Sequence, residues 1–294
     1  MYIEIVGYVL IFIAGAFIGS FLNVVADRVS NGESPFRGRS RCDHCKTVLA
    51  PRDLIPLLSY IFLRGRCRHC GKKISLYYPV SEVLTGLAFL GLARYLNIFT
   101  IPNYLIWVTF AYLATIASFY IIIFLADLKY KLIPNKVIKP AIWFVLGVMV
   151  VSLALIAVTS YRQMQADEFG RYLLQSGYWH QQIFAMLKGI GLSILVAGLL
   201  ALFFKILIWV TKGKGMGGGD VKLAFLIGLV NGFPMSIAAI ILGFITGALF
   251  SVILMLAKRK GMKDVIPFGP FLVLGSVLTF AFGQQLLNWY LALI

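Results

Sequence analysis

The sequence predicts an all-α membrane protein, a polytopic bundle of about eight transmembrane helices with one small cytoplasmic insertion. Three observations carry this reading. Hydrophobic residues make up 60% of the 294 residues and charged residues only 13%, whereas a soluble domain is near half apolar and about a quarter charged. Mean hydropathy is +0.89. Apolar runs near the ~20 residues needed to cross a bilayer recur from end to end, and in lipid such runs must be helical to satisfy their own backbone.

Eight spans are expected, at 7–26, 81–97, 103–126, 138–160, 187–210, 221–232, 235–257 and 270–292. The first is a retained span rather than a signal peptide. Glu4 is the only charge ahead of it, and no small-x-small cleavage site follows before polar sequence. The sixth is short and ends at the turn signal Asn231-Gly232-Phe233-Pro234, so it is expected to tilt or to be sheltered by its neighbours. The segment 27–80 is polar, basic and broken by Gly and Pro, and holds every cysteine. The chain thus divides into a first span (1–26), a cysteine domain (27–80), spans two and three (81–126) and a C-terminal core (127–294).

Charge sets the orientation. The segments 27–80, 127–139, 211–222 and 258–264 hold eleven, four, three and four Lys/Arg, which is 22 of the 27. An outside amino terminus puts all four on the cytoplasmic side, as the positive-inside bias requires. The opposite loop, 161–186, balances Arg162 and Arg171 against Asp167 and Glu168. A net charge of +16 would point to nucleic acid in a soluble protein. Here the charge sits where topology needs it, so no nucleic-acid partner is expected.

Cys42-Asp43-His44-Cys45 and Cys67-Arg68-His69-Cys70 form two C-x-x-C pairs separated by 21 residues. Each pair can present two thiolates to one zinc ion, and Gly71 stands where such a knuckle needs positive φ. Cys42, Cys45, Cys67 and Cys70 are therefore the expected metal ligands, with His44 and His69 facing outward. Two disulfides or free thiols are the competing reading, and a reducing cytoplasmic side argues against the former. Four thiolates leave no open coordination position, so the zinc is structural.

Asp127 closes span three and Asp220 opens span six after Gly217-Gly218-Gly219. One span arrives at the cytoplasmic face as the other leaves it, so both carboxylates are expected at similar depth. Ionisable groups there are costly and are usually functional or paired. Two close carboxylates share one proton. The ionised member can activate water against a peptide carbonyl while the protonated one donates to its oxygen. The pair titrates as a unit, so neither residue has a fixed role. The glycines open a close approach for an extended substrate, and a helix start favours negative charge. On the residues alone, Asp220 as a helix cap and Asp127 as a lysine-paired interfacial residue remain open.

Six ordered blocks resemble the prepilin peptidases, membrane aspartic proteases of the G-x-G-D class. They are Gly19-Ser20-Phe21-Leu22-Asn23-Val24-Val25; the two C-x-x-C pairs with Ile55-Pro56-Leu57-Leu58-Ser59-Tyr60 between them; Tyr78-Pro79-Val80-Ser81-Glu82-Val83-Leu84-Thr85-Gly86; Asp127-Leu128 with Leu132-Ile133-Pro134-Asn135; Gly217-Gly218-Gly219-Asp220-Val221-Lys222-Leu223; and Ile266-Pro267-Phe268-Gly269-Pro270-Phe271.

The resemblance implies cleavage of the leader from type IV prepilins or pseudopilins at the cytoplasmic face of the bacterial inner membrane, by Asp127 and Asp220. It also implies N-methylation of the new amino terminus from S-adenosylmethionine. The cysteine domain would then belong to the methylating half and 127–294 to the peptidase core. Glu82 is the candidate for handling the amine or its proton, with Asn23 and Asp27 in the same half. Other readings are a G-x-G-D peptidase with another substrate and no methylation, or a zinc-stabilised scaffold without chemistry. Two departures stand out. The 161–186 loop is longer than most relatives need. Lys129, Lys131, Lys212, Lys214 and Lys222 make a surface too basic to attract a basic leader, and are credited to topology and anionic lipid.

Overall fold

The computed structural model describes residues 2–101, 103–213, 216–257 and 266–292. The expected basic loop 258–264, with Lys214 and Gly215, lies outside the described residues. The described residues form helices α1 (Tyr2–Ser30), α2 (Leu58–Phe62), α3 (Tyr77–Tyr95), α4 (Tyr104–Tyr130), α5 (Asn135–Gln165), α6 (Glu168–Gln175), α7 (Tyr178–Val210), α8 (Gly218–Asn231), α9 (Met235–Leu256) and α10 (Gly269–Leu291). Among them there is no strand ladder, only the isolated bridges Arg41↔Val48 and Arg66↔Lys73. The chain forms two compact units, 1–137 and 138–294.

Helices stand at all eight expected positions. Six described helices, α1, α4, α5, α7, α9 and α10, are long and apolar enough to cross a membrane, so the chain is a multi-pass membrane protein. The expected count of eight is not met by this measure, because α3 and α8 fall short for different reasons. The 14 residues of α8 rise only about 21 Å at 1.5 Å each, less than a ~30 Å hydrocarbon core. Helix α3 interrupts its apolar sequence with Ser81, Glu82 and Thr85, all buried against protein.

In the first unit α1, α3 and α4 pack against one another. The α1–α3 seam follows from small residues one turn apart. A Cβ on Gly15 would lie 2.9 Å from Gly86 Cα, and one on Gly19 would lie 2.8 Å from the Thr85 side chain. Backbones this close gain dispersion contacts that lipid cannot match, as in small-xxx-small pairings. In the second unit α8 touches α7, α9 and α10 and buries Leu223, Leu226, Ile227 and Leu229. That shelter is what its shortness anticipates.

The expected outside loop 161–186 is mostly helix. Helix α5 runs on to Gln165, α7 starts at Tyr178, and α6 lies between them. The Asp167 side chain caps α6 by accepting from Gly170 N–H at 2.7 Å. Trp179 Nε1 donates to Ala157 O and Ser160 Oγ, each at 3.2 Å, so the polar stretch is tied down by the helices it joins.

Candidate active site and metal centre

The two knuckles are near copies. Cys42 N–H donates to Thr47 O and Lys46 N–H to Cys42 O; Cys67 N–H donates to Lys72 O and Gly71 N–H to Cys67 O. The residue after each pair adopts positive φ, 57° at Lys46 and 67° at Gly71, so the second knuckle uses glycine where the first strains a lysine. One ligand atom from each of Cys42, Cys45, Cys67 and Cys70 lies within 4.8 Å of every other. Cys42 Sγ and Cys70 Sγ are 3.9 Å apart. Tetrahedral zinc with ~2.3 Å bonds to sulfur needs sulfurs about 3.8 Å apart, so the donor set fits. The neighbours bias the thiols. Hydrogen bonds from the Thr47 side chain and backbone bring Cys45 down to about 6. At Cys70 a backbone hydrogen bond from Lys72 is outweighed by burial and the other sulfurs, and the thiol is pushed up to about 11.

Next to the knuckles, within the first unit, is a cavity of about 1270 Å³. Helices α1 and α3 supply Ser20, Asn23, Tyr78 and Glu82 to its wall, and Arg37, Arg41 and Arg66 stand among the loop residues lining it. Glu82 is buried and its Oε2 accepts the Leu57 N–H at 2.9 Å. Leu57 has φ 61°, a left-handed conformation costly for a side chain of this size, so Glu82 also steadies a strained turn. Asn23 Oδ1 accepts from Ser81 Oγ at 2.8 Å, while the buried Asn23 Nδ2 has no partner in the protein. A buried donor without a partner is uncommon; here it belongs to a residue that lines the cavity.

Asp127 is buried in the last turn of α4. Helix α4 runs past the expected end of span three, so Asp127 lies inside the helix rather than after it. Lys131 caps this end in the left-handed region (φ 55°), its N–H donating to Asp127 O at 2.9 Å. The same turn holds a network that sequence reasoning missed. Lys129 Nζ donates to Asp27 Oδ1 at 2.8 Å, Tyr130 Oη to Asp27 Oδ1 at 3.0 Å, and Tyr78 Oη to Asp27 Oδ2 at 3.1 Å. Lys129 Nζ also lies 5.2–5.4 Å from the ring centres of Tyr77, Tyr78 and Tyr130. The reading of Lys129 as a topological, lipid-facing cation is thereby corrected: its ammonium is held by protein. The only sequence signal was an acidic residue at the inner end of span one, with two tyrosines opening α3.

Asp220 is buried in the first turn of α8, in the second unit. Its Oδ2 accepts the Gly217 N–H at 3.0 Å, and its own N–H donates to Gly217 O at 3.1 Å. The capping alternative is therefore realised in part: one carboxylate oxygen caps the helix. Asp127 and Asp220 belong to different units, and each is a buried carboxylate in a helix-terminal turn.

Residues 13–96 match the bacterial peptidase A24 N-terminal domain, and residues 114–252 match the type IV leader peptidase family. The chain is 30% identical over 257 residues to a prepilin leader peptidase/N-methyltransferase of Legionella pneumophila, covering 87% of this chain and 76% of the relative. The chain belongs to the type IV leader peptidase family. It is also 28% identical over 284 residues to the family member of Bacillus subtilis, covering 96% of this chain and 97% of the relative. With the Aeromonas hydrophila member it shares 29% identity over 306 residues, covering 96% and 93%. No solved structure matches the chain significantly.

Proposed function

We propose that this chain is a membrane endopeptidase that removes the leader from type IV prepilins or pseudopilins and N-methylates the amino terminus it exposes. Family membership, with relatives named prepilin leader peptidase/N-methyltransferase over nearly their whole length, carries this reading.

Asp127 and Asp220 are the two acids of cleavage. Sharing one proton, they let one carboxylate take a proton from the attacking water while the other hydrogen-bonds the scissile carbonyl. The same proton then moves to the departing amine. Burial of both side chains and the glycines ahead of Asp220 support this, since a dry site strengthens the pair's hydrogen bonds. Cleavage occurs at the cytoplasmic face of the inner membrane, on the side of the basic segments.

The four cysteines hold a structural zinc that fixes the 27–80 insertion. S-adenosylmethionine, when bound, supplies an electrophilic methyl group. The cavity beside the knuckles suits it: Asn23 Nδ2 is a ready donor for a ligand carbonyl or carboxylate, and the Glu82 carboxylate can receive the proton that the substrate amine must lose. Asp27, which also lines this cavity, already accepts from Lys129, Tyr130 and Tyr78.

The test is leader cleavage of a prepilin by reconstituted Asp127→Asn and Asp220→Asn variants. Each should lose cleavage and keep methylation of a pre-cleaved peptide. Cleavage retained by either isosteric variant would refute the dyad.

A further inference from the structure

We infer that Asp27 and Lys129 are positioning residues for peptide cleavage, gripping the last turn of α4 so that the Asp127 carboxylate is presented in one geometry. This rests on the reading of Asp127 as a catalytic carboxylate. It separates Asp27 from the methylating residues, with which its place in the sequence would group it.

The turn needs a grip. Helix ends fray, and their final carbonyls lack intrahelical partners. Leu128, beside Asp127, is exposed. A catalytic side chain misplaced by about 1 Å can lose some hundredfold in rate. The first unit fastens this turn from several directions. Tyr77 Oη donates to Leu125 O at 3.2 Å, and Lys131 N–H closes on Asp127 O. Lys129 and Tyr130, two and three residues beyond Asp127, both converge on Asp27 Oδ1. Lys136 Nζ donates to Gly32 O at 3.0 Å, tying the segment after α4 to the end of α1.

Asp27 is the hub because it has one donor from α3 and two from α4. Its Oδ2 faces Tyr78 Oη, which also lies 3.1 Å from Asp43 Oδ2 in the first knuckle. The carboxylate on α1 thus orients α4 against α3 and the cysteine loop. Three tyrosine rings around the ammonium restrict Lys129 further, because a cation over aromatic faces keeps its attraction as solvent is displaced. A lysine serving topology alone would need none of these partners.

Three variants test the assignment in the full-length, lipid-reconstituted protein. Lys129→Met should lower kcat for leader cleavage about tenfold or more, with KM within about twofold. Methylation of a pre-cleaved peptide should stay within about twofold in the same preparation, which also reports that the first unit is folded. Lys129→Arg keeps a cation that can pair with Asp27 and stack on tyrosine, and should recover most of the rate. Asp27→Asn should match Lys129→Met, and the double variant should be no slower than either single one, as for a pair acting together. Near-normal cleavage by Lys129→Met overturns the inference. So does loss of cleavage and methylation in equal proportion, failure of arginine to restore the rate, or multiplicative losses in the double variant. Asp127→Asn, run alongside, separates the two levels: if it still cleaves, the catalytic reading has failed rather than the positioning one.

Discussion

The cysteine knuckles and the aspartate turns hold their polar side chains by different means. Each knuckle is a short loop whose own backbone hydrogen bonds and one positive-φ residue aim its sulfurs. Two such loops need only meet for four ligands to converge. Asp127 and Asp220 each occupy a helix-terminal turn, and α4 and α8 are set by the helices they pack against. Local geometry thus aims the four sulfurs and one oxygen of Asp220, whereas the turn that carries Asp127 also relies on distant segments. Lys129 and Tyr130, in the same turn as Asp127, take partners from α1 and α3, while the cysteines lean chiefly on their neighbours in sequence.

The contrast can be broken at several points. The largest effect belongs to Asp127→Asn and Asp220→Asn, each expected to cut the cleavage rate by at least about a thousandfold, as for residues that carry the chemistry. Next, Cys42→Ser should release the zinc, measured as bound metal per chain; undiminished metal would reject the centre. Metal affinity should also fall on acidification, because protons compete for thiolates.

Glu82→Gln sharpens the distinction between site and scaffold. The amide still accepts the Leu57 N–H but removes the charge, so methylation should drop about a hundredfold, as on loss of a general base, with cleavage nearly intact. Unchanged methylation would return Glu82 to a purely structural role. The smallest effect is on stability. Gly86→Ala places a Cβ 2.9 Å from Phe12 O, an overpacking expected to cost about 1–3 kcal/mol, read as a lowered Tm in detergent. Lys129→Met should shift that Tm less, since a partly exposed ion pair is worth about 0–1 kcal/mol. The pair orients more than it stabilises.

Much of this was legible in the sequence because it was local. Apolar runs located the helices, C-x-x-C spacing located the four-cysteine cluster, and the glycines before Asp220 marked its turn. Contacts between distant segments were not legible. Lys129 and Asp27 lie 102 residues apart, and no periodicity links them; only the packing of α4 on α1 does. The Glu82–Leu57 hydrogen bond was hidden for the same reason. Helix ends also exceeded expectation. Polar residues at the termini of α5 and α7 read as loop, yet capping by Asp167 and the Trp179 anchor keep that stretch helical. The shortfall of α3 and α8 as membrane-crossing helices lies in their own sequence, polar residues within α3 and only 14 residues in α8.

The most direct test of the central claim, that Asp127 and Asp220 act as one unit, is the rate of leader cleavage by the double variant Asp127→Asn/Asp220→Asn. If the carboxylates share one proton and one water, the first substitution already removes the machinery, and the double variant cleaves as slowly as either single one. A double variant slower by the product of the two single effects would show two independent contributions and contradict the shared dyad.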